Sequence, residues 1–326
     1  MIDLLNITRA LADPTRLRIV FLVLKLELSV GELVQILGQS QPRVSRHVKI
    51  LDEAGILERR KEGSWVFMRP GPVMTDGRLA PLFASTDITQ ARAFQRDLLK
   101  LEEVRTARTD MAAAYFEAHA NEWDSLRSLH VAESEVEAAI GKILGTEPLG
   151  SVLDVGTGTG RMMELFAAHA KHFVALDSST EMLRLARAKL ANIDAAAASN
   201  VDFMLGDFNG LPLDDAAFDT VIFHQVLHYA QHPEGVIAEA ARVLAAKGRL
   251  LIVDFAVHDR EELRTVHAHA RLGFSDDLIT KAFQASGVHL AHHVTLGGGE
   301  LAVKVWMGRK HGLAVAAPNN NLRIVA

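Results

Sequence analysis

Along the first 70 positions the apolar residues recur at helical spacing and then switch to a strand-like rhythm. In "DPTRLRIVFLVLK", Leu17, Val20, Phe21 and Leu24 fall on one helical face, behind an N-capping Asp13 and Pro14 at the first helical position. "SVGELVQILG" predicts a short second helix, opened by Ser29 and stopped by Gly38. "SQPRVSRHVKILDEAG" predicts a third, capped by Ser40 or Gln41, entered at Pro42 and ended at Gly55, with Val44, Val48 and Leu51 as its buried stripe. "ILERRKEGSWVFMRP" reads as two strands about a turn at Glu62–Gly63.

Residues 71–87, rich in Gly, Pro, Ser and Thr, predict a linker. A long charged helix is expected over 88–118 and a second amphipathic helix over 131–144. From 151 onward apolar strands alternate with amphipathic helices. "SVLDVG", "HFVALD", "VDFMLGD", "FDTVIFHQVLH" and "GRLLIVDFA" are the strands. "RMMELFAAHA", "TEMLRLARAKLA" and "PEGVIAEAARVLAAKG" are helices between them. This alternation predicts an open, mostly parallel sheet with helices on both faces. A last helix, "SDDLITKAFQASG", and two strands around "LGGGEL" predict a closing antiparallel hairpin. The tail "HGLAVAAPNNNLRIVA" has no pattern and is expected to be mobile.

The fold expected is therefore two domains: a winged helix-turn-helix head and an α/β Rossmann-like fold with a seven-stranded sheet. The boundaries read as 1–75 for the head, 76–111 for a linker and dimerisation helix, 112–310 for the α/β domain and 311–326 for the tail.

Charge sharpens this division. Residues 1–70 carry 11 Lys+Arg against 8 Asp+Glu, the remainder 24 against 32. A weakly basic head on an acidic body fits nucleic-acid contact through the head. The N-terminus lacks a basic stretch before an apolar core, and no run reaches the ~20 apolar residues of a spanning helix. A soluble cytoplasmic protein with no membrane partner is expected. There is no cysteine, which excludes disulfides, zinc–thiolate sites and thiol nucleophiles.

The candidate chemistry begins at "SVLDVGTGTGRMMELFA", a strand, a glycine loop and a helix. Gly156, Gly158 and Gly160 are spaced G-x-G-x-G, whereas a dinucleotide site prefers G-x-G-x-x-G. Asp154 at the strand end would repel a pyrophosphate but suits an ammonium or sulfonium, and S-adenosylmethionine (SAM) has both and no phosphate. Asp177 closes the next strand, where a carboxylate takes both ribose hydroxyls. Asp207 follows the third strand and is placed to accept from an adenine amino group. His258, His267 and His269 include an H-x-H spacing, but carboxylate or cysteine partners at a known metal-site spacing are missing. They are expected on a helix in a substrate-side insertion, with no metal.

With "VLDVGTGTG", "ALDSSTEML", "GDFNGLPL", "FDTVIFHQVLHYAQHP" and "RVLAAKGRLLIVDF" in that order, residues 112–310 resemble class I SAM-dependent methyltransferases of the ubiquinone/menaquinone-biosynthesis type. The resemblance implies Asp154, Gly156, Gly158 and Gly160 around the methionine part. It implies Asp177 and Met182 at the ribose and adenine edge, Asp207 and Phe208 at the adenine, and His224 near the methyl group. "AYFEAHANEWDSLRSLH" resembles the helix that covers SAM in that family, which brings in Tyr115 and Trp123. Candidates for a catalytic group are His224, His228 and Tyr229. An amino-methylating DNA enzyme is disfavoured, since "FHQVLHY" stands where its N/D-P-P-Y/F motif would be.

Residues 3–70 resemble the ArsR-type winged helix-turn-helix, carried by "LADPTRLRIVFLVL" and "SVGELVQILGQSQPRVSRHVKILDEAGILERRKEGSWVFMR". The resemblance implies a third helix in the major groove. Ser40, Gln41, Arg43, Ser45 and Arg46 then face bases or phosphates, and His47 and Lys49 lie close to the backbone. Arg59, Arg60 and Lys61 would touch DNA from the wing. Metal sensing through cysteine pairs and arsenite methylation both fail for want of thiols.

The whole chain resembles S-adenosylhomocysteine (SAH)-responsive ArsR-type repressors that carry this fusion, and "HAHARLGFSDDLITKAFQASGV" looks like their C-terminal segment. That implies a homodimeric regulator on a palindromic double-stranded operator, released by SAH or SAM. The alternatives are an active small-molecule methyltransferase with an autoregulatory head, or a methyltransferase whose head only dimerises.

Overall fold

The structure, a computed structural model, describes residues 4–62, 65–75, 79, 83, 92–119, 133–297 and 301–312. The chain divides into two compact units, Met1–Tyr115 with His258–Leu272, and Phe116–Val257 with Gly273–Ala326.

In the first unit the helices are α1 (Leu4–Leu11), α2 (Pro14–Val23), α3 (Val30–Leu37) and α4 (Gln41–Glu53). The strands are β1 (Leu28–Ser29), β2 (Leu57–Glu62) and β3 (Trp65–Pro70), paired antiparallel in the order β1-β3-β2. The boundaries follow local chemistry. Asp13 caps α2 by accepting from Arg16 N–H at 3.0 Å, with Pro14 at its start. Ser29 and Glu32 form a reciprocal capping box on α3. Ser40 sits at the N-cap of α4 with no side-chain cap bond. Val44, Val48 and Leu51 point into a core with Ile19, Leu22, Leu33, Ile36 and Met68.

After the one-turn α5 (Pro72–Thr75), the long helix α6 (Arg92–His119) covers the expected charged region. Its first half adds Leu101 and Val104 to the same core. Asp97, fully buried on α6, takes both arms of Arg18 from α2 at 2.6 Å. A buried carboxylate needs such a bidentate partner, so this pair fixes where α6 starts against the head. Among the described residues no helix is long and apolar enough to cross a membrane.

The second unit contains α7 (Glu133–Leu144), β4 (Ser151–Val155), α8 (Arg161–Phe166), β5 (His172–Asp177), α9 (Thr180–Lys189) and α10 (Ala195–Ala198). It continues with β6 (Val201–Leu205), β7 (Phe218–His224), α11 (Pro233–Val243) and β8 (Leu244–Phe255). The sheet order is β6-β5-β4-β7-β8-β10-β9, with β9 (Val288–Leu296) and β10 (Val303–Lys310) as the closing hairpin. β10 pairs antiparallel with both β8 and β9, and the other pairings in the sheet are parallel. Val152, Leu153, Val155, Val221, Ile222 and Phe223 are buried, which is why β4 and β7 read as unbroken apolar runs. The chain order reverses between β4 and β7, the position where open α/β sheets open a crevice at their strand ends.

The α/β domain differs from expectation in one place. Between β8 and α13 (Asp276–Ala285), the histidine-bearing segment forms only α12 (Glu261–Thr265). His258, His267 and His269 lie outside that helix, and residues 258–272 group with the first unit. A tight turn with Ala268 at φ 58° stops the helix, and His269 N–H folds back on the Leu263 carbonyl at 3.0 Å. Leu263 and Leu272 are both buried. Among the described residues no three His, Asp or Glu side chains gather as a metal site. The tail expected to be mobile lies outside the described residues from 313 onward, as does the wing turn at 63–64.

Candidate functional site

β4 delivers Asp154 to the sheet's crevice, and the glycine loop then folds over the end of β5. Gly156 and Thr157 N–H donate to the Leu176 carbonyl at 2.8 and 2.9 Å. Gly156 has φ +69°, and a Cβ there would sit 2.3 Å from Val226 Cγ2, so the position excludes a side chain twice over. Thr157 Oγ1 donates to Asp154 Oδ2 at 2.6 Å and orients that carboxylate, which is 1% exposed.

Asp177, at the tip of β5, accepts from Gly158 N–H at 2.8 Å on Oδ2 and from Ser179 N–H at 2.8 Å on Oδ1. Burial pushes the Asp177 carboxyl up from its ordinary value, opposed by the N–H groups of Ser179, Gly158 and Ser178. A carboxylate has about four acceptor sites, so it can still accept a donor beyond these N–H groups.

These groups line one cleft, whose roughly 640 Å³ of empty space includes open solvent. Phe116, Arg161, Met182, Phe208, His224, Gln225 and Tyr229 complete its wall. Phe116 meets Tyr229 edge-on, with ring centroids 4.6 Å apart. Arg161, first residue of α8, is held by both oxygens of Glu137 at 2.6 and 2.9 Å and by Glu164 at 3.3 Å; these partners raise its pKa further. Gln225 takes φ 53°, a conformation unusual for a side chain with a Cβ, and donates its N–H to the Val253 carbonyl at 2.7 Å. The bend turns the chain from β7 along the cleft. One residue further back from the cleft wall, His228 is 2% exposed and Asp254 fully buried. Asp254 takes the His228 Nδ1 at 2.8 Å and the His228 backbone N–H at 3.1 Å.

In the first unit, α4 turns Gln41, Arg43, Arg46 and Lys49 outward and buries Val44, His47, Val48 and Leu51. Ser40 is exposed and Ser45 half-buried.

Residues 13–59 match the model of the bacterial regulatory protein arsR family, and residues 153–252 match a methyltransferase domain. Over 97 residues the chain is 40% identical to the arsenic resistance transcriptional regulator ArsR1 of Pseudomonas putida, covering 29% of this chain and 75% of that protein. The chain belongs to the arsR family. Behind its arsR module it carries a fused methyltransferase domain. Over 124 residues it is 33% identical to the demethylmenaquinone methyltransferase of Renibacterium salmoninarum, covering 38% of this chain and 49% of that enzyme. The chain spans about half the length of the curated methyltransferases it matches. The N-methyltransferase NodS of Bradyrhizobium japonicum, solved in complex with S-adenosyl-l-homocysteine, overlays 61% of this chain and 98% of its own with a TM-score of 0.51 at 16% identity. That likeness speaks to the fold.

Within this arsR-family chain, the structure brings Asp154, Gly156, Gly158, Asp177, Met182, Phe208, His224 and Tyr229 to the cleft wall. Gly160 lies just behind it as the N-cap of α8. Asp207 is not brought there. It is exposed, and its Oδ1 is occupied by Asn209 N–H and Nδ2, both at 2.8 Å, because the short Asp-Phe-Asn turn captures it locally. From the covering segment Phe116 reaches the cleft. Tyr115 instead pairs its hydroxyl with His267 within the first unit. Trp123 lies outside the described residues.

On the head, His47 faces inward, 3.8 Å from Asp13. Burial pushes its pKa below the ordinary value; Asp13 opposes this, while Arg16, Arg43 and Arg46 reinforce it. Arg59 pairs with Asp52 at 3.0 Å, Arg60 with Glu27 at 2.9 Å, and Lys61 is exposed. Sequence reasoning missed Phe116, Arg161 and Gln225. Arg161 alone had a readable signal, as a cation opening the helix after the glycine loop.

Proposed function

We propose that this chain is a DNA-binding transcription regulator, a homodimer on a palindromic operator. In this reading its methyltransferase-fold domain binds SAH or SAM, and the ligand weakens operator binding. The observation that carries the ligand is the buried Asp177 carboxylate. It is fixed by two backbone N–H groups at the rim of an apolar-walled cleft, beside the buried Asp154. Such a carboxylate matches a ribose diol, and Asp154 offers a counter-charge to an ammonium.

The DNA side is supported by the outward-turned Gln41, Arg43, Arg46 and Lys49 on the exposed side of α4. For the dimer, Leu4 and Leu5 of α1 and Leu99 of α6 are 70%, 51% and 69% exposed, a set of apolar side chains suited to a second copy. A two-fold protein reads two half-sites about one helical turn, roughly 34 Å, apart.

A second reading, methyl transfer to a small molecule, is favoured by His224 and Tyr229, which face the cleft and are groups able to move a proton. Calorimetric titration with SAM and SAH tests the ligand, and incubation with labelled SAM and an acceptor panel tests turnover. Turnover on any acceptor removes the pure-sensor reading. No heat with either ligand removes both.

A further inference from the structure

The chain leaves the second unit after Val257, spends residues 258–272 in the first, and returns at Gly273. The crossing is a paired neck. On the second unit's side Phe274 N–H donates to the Phe255 carbonyl at 2.9 Å, and Ala256 bridges to Phe274. On the first unit's side His258 N–H donates to the Leu272 carbonyl at 3.1 Å. Gly273 stands in the neck with φ +78°; a Cβ there would lie 2.0 Å from the Ala256 carbonyl oxygen.

Beyond the neck the segment holds the base of the wing. Arg271, 4% exposed, places Nη1 3.2 Å from Glu27 Oε2. That same oxygen accepts from Arg60 Nε of β2 at 2.9 Å. The guanidiniums of Arg60, Arg264 and Arg108 stand 5.0, 5.3 and 5.9 Å from the centre of the Phe67 ring on β3. Arg264 is steadied by the Ala270 carbonyl at 2.9 Å, and His267 pairs with the Tyr115 hydroxyl on α6.

On the other side of the neck, Asp254 immediately precedes Phe255. It anchors the backbone and ring of His228, in the loop that gives Gln225, Val226 and Tyr229 to the cleft wall.

We propose that residues 258–272 are a coupling strap that reports occupancy of the cleft to the wing. A ligand that repacks residues 225–229 shifts Asp254 and Phe255, and the neck carries the shift to Arg271. The strap then alternates between sharing Glu27 with Arg60 and releasing it. A ligand moves this balance only through unequal affinity for the two arrangements. The inference rests on the ligand-binding reading above.

The test uses the full chain. Hydrogen exchange of the β2 and β3 amides is followed with and without saturating SAH, in the parent, Arg271→Ala and Glu27→Gln, with SAH affinity measured by calorimetry. Both variants break the Arg271–Glu27 pair, Glu27→Gln also releasing Arg60, and Arg271→Lys, which keeps the charge, is the folded control. In the parent, SAH is expected to change wing exchange by about threefold or more. In Arg271→Ala and Glu27→Gln the change disappears, SAH affinity stays within about threefold of the parent, and Arg271→Lys keeps the response. A wing silent to bound SAH in the parent overturns the strap alone. So does a parent-like response in either broken-pair variant. No SAH binding in the parent overturns the ligand reading and the strap with it, a result separable by the calorimetry.

Discussion

α4 and the cleft at the sheet's strand ends use charge in opposite ways. On α4, Arg43, Arg46 and Lys49 stay in water, where each cation costs little to hold; in the proposed reading they act on DNA through long-range attraction and counterion release. In the cleft, Asp154 and Asp177 are 1% and 9% exposed and are held by N–H and hydroxyl donors. A few buried groups in fixed geometry carry more per residue than many exposed ones, and they respond to pH rather than to salt. The wing lies between these extremes: Arg59 and Arg60 are already engaged by Asp52 and Glu27. Basic residues in a sequence are therefore not equivalent to charge offered to DNA.

The largest expected effect is in the cleft. Asp177→Ala leaves two ribose hydroxyls without a charged acceptor, a loss of about 3 kcal/mol or roughly a hundredfold in SAH affinity. Calorimetry beside a melting curve checks it, and an unchanged Kd would mean the ribose lies elsewhere. The same carboxyl sets a pH dependence. Burial raises its pKa above 3.8, and only the ionised form accepts from both hydroxyls. SAH affinity should therefore fall on acidification with a midpoint above 3.8, and Asp177→Asn should flatten the profile.

Next in size comes α4. Arg46→Ala should weaken operator binding by about 1–3 kcal/mol if it reads a base, and should lower the salt slope by about one if it holds a phosphate. Arg59→Ala on the wing should cost less than about 1 kcal/mol, because its exposed pair with Asp52 offsets part of any DNA contact. Equal losses at Arg46 and Arg59, measured by anisotropy across a salt series, would erase the distinction between helix and wing.

The smallest effect is on the head's stability. His47 has a folded pKa below the ordinary 6.5, chiefly through burial, so the unfolded chain binds its proton more readily. Stability is complete above 6.5 and declines as pH falls below it. His47→Gln should flatten that decline in denaturant titrations.

What the sequence made legible was local. Asp13 and Ser29 mark helix starts by side-chain caps and Gly38 marks a helix end by its left-handed backbone, and Val44, Val48 and Leu51 declare a buried face by spacing. Asp154 and Asp177 were readable because parallel strands put their last residues at one edge of a sheet. Phe116 and Gln225 were not. Phe116 enters the cleft through packing on Tyr229, and Gln225 through a left-handed bend that no Gly or Asn announces. The placement of 258–272 was hidden for the same reason. Its anchors, Arg271 on Glu27 and Arg264 over Phe67, join residues from distant parts of the chain, and a single sequence carries no period that links them.

The most direct measurement is operator affinity of the full chain, with DNA from immediately upstream of its gene, at fixed salt with and without saturating SAH. Coupling between ligand and DNA sites is typically about 1–3 kcal/mol, so affinity should fall roughly 5- to 150-fold. Identical binding curves, with SAH shown by calorimetry to be bound, would contradict the regulator reading and leave methyl transfer as the role of the second domain.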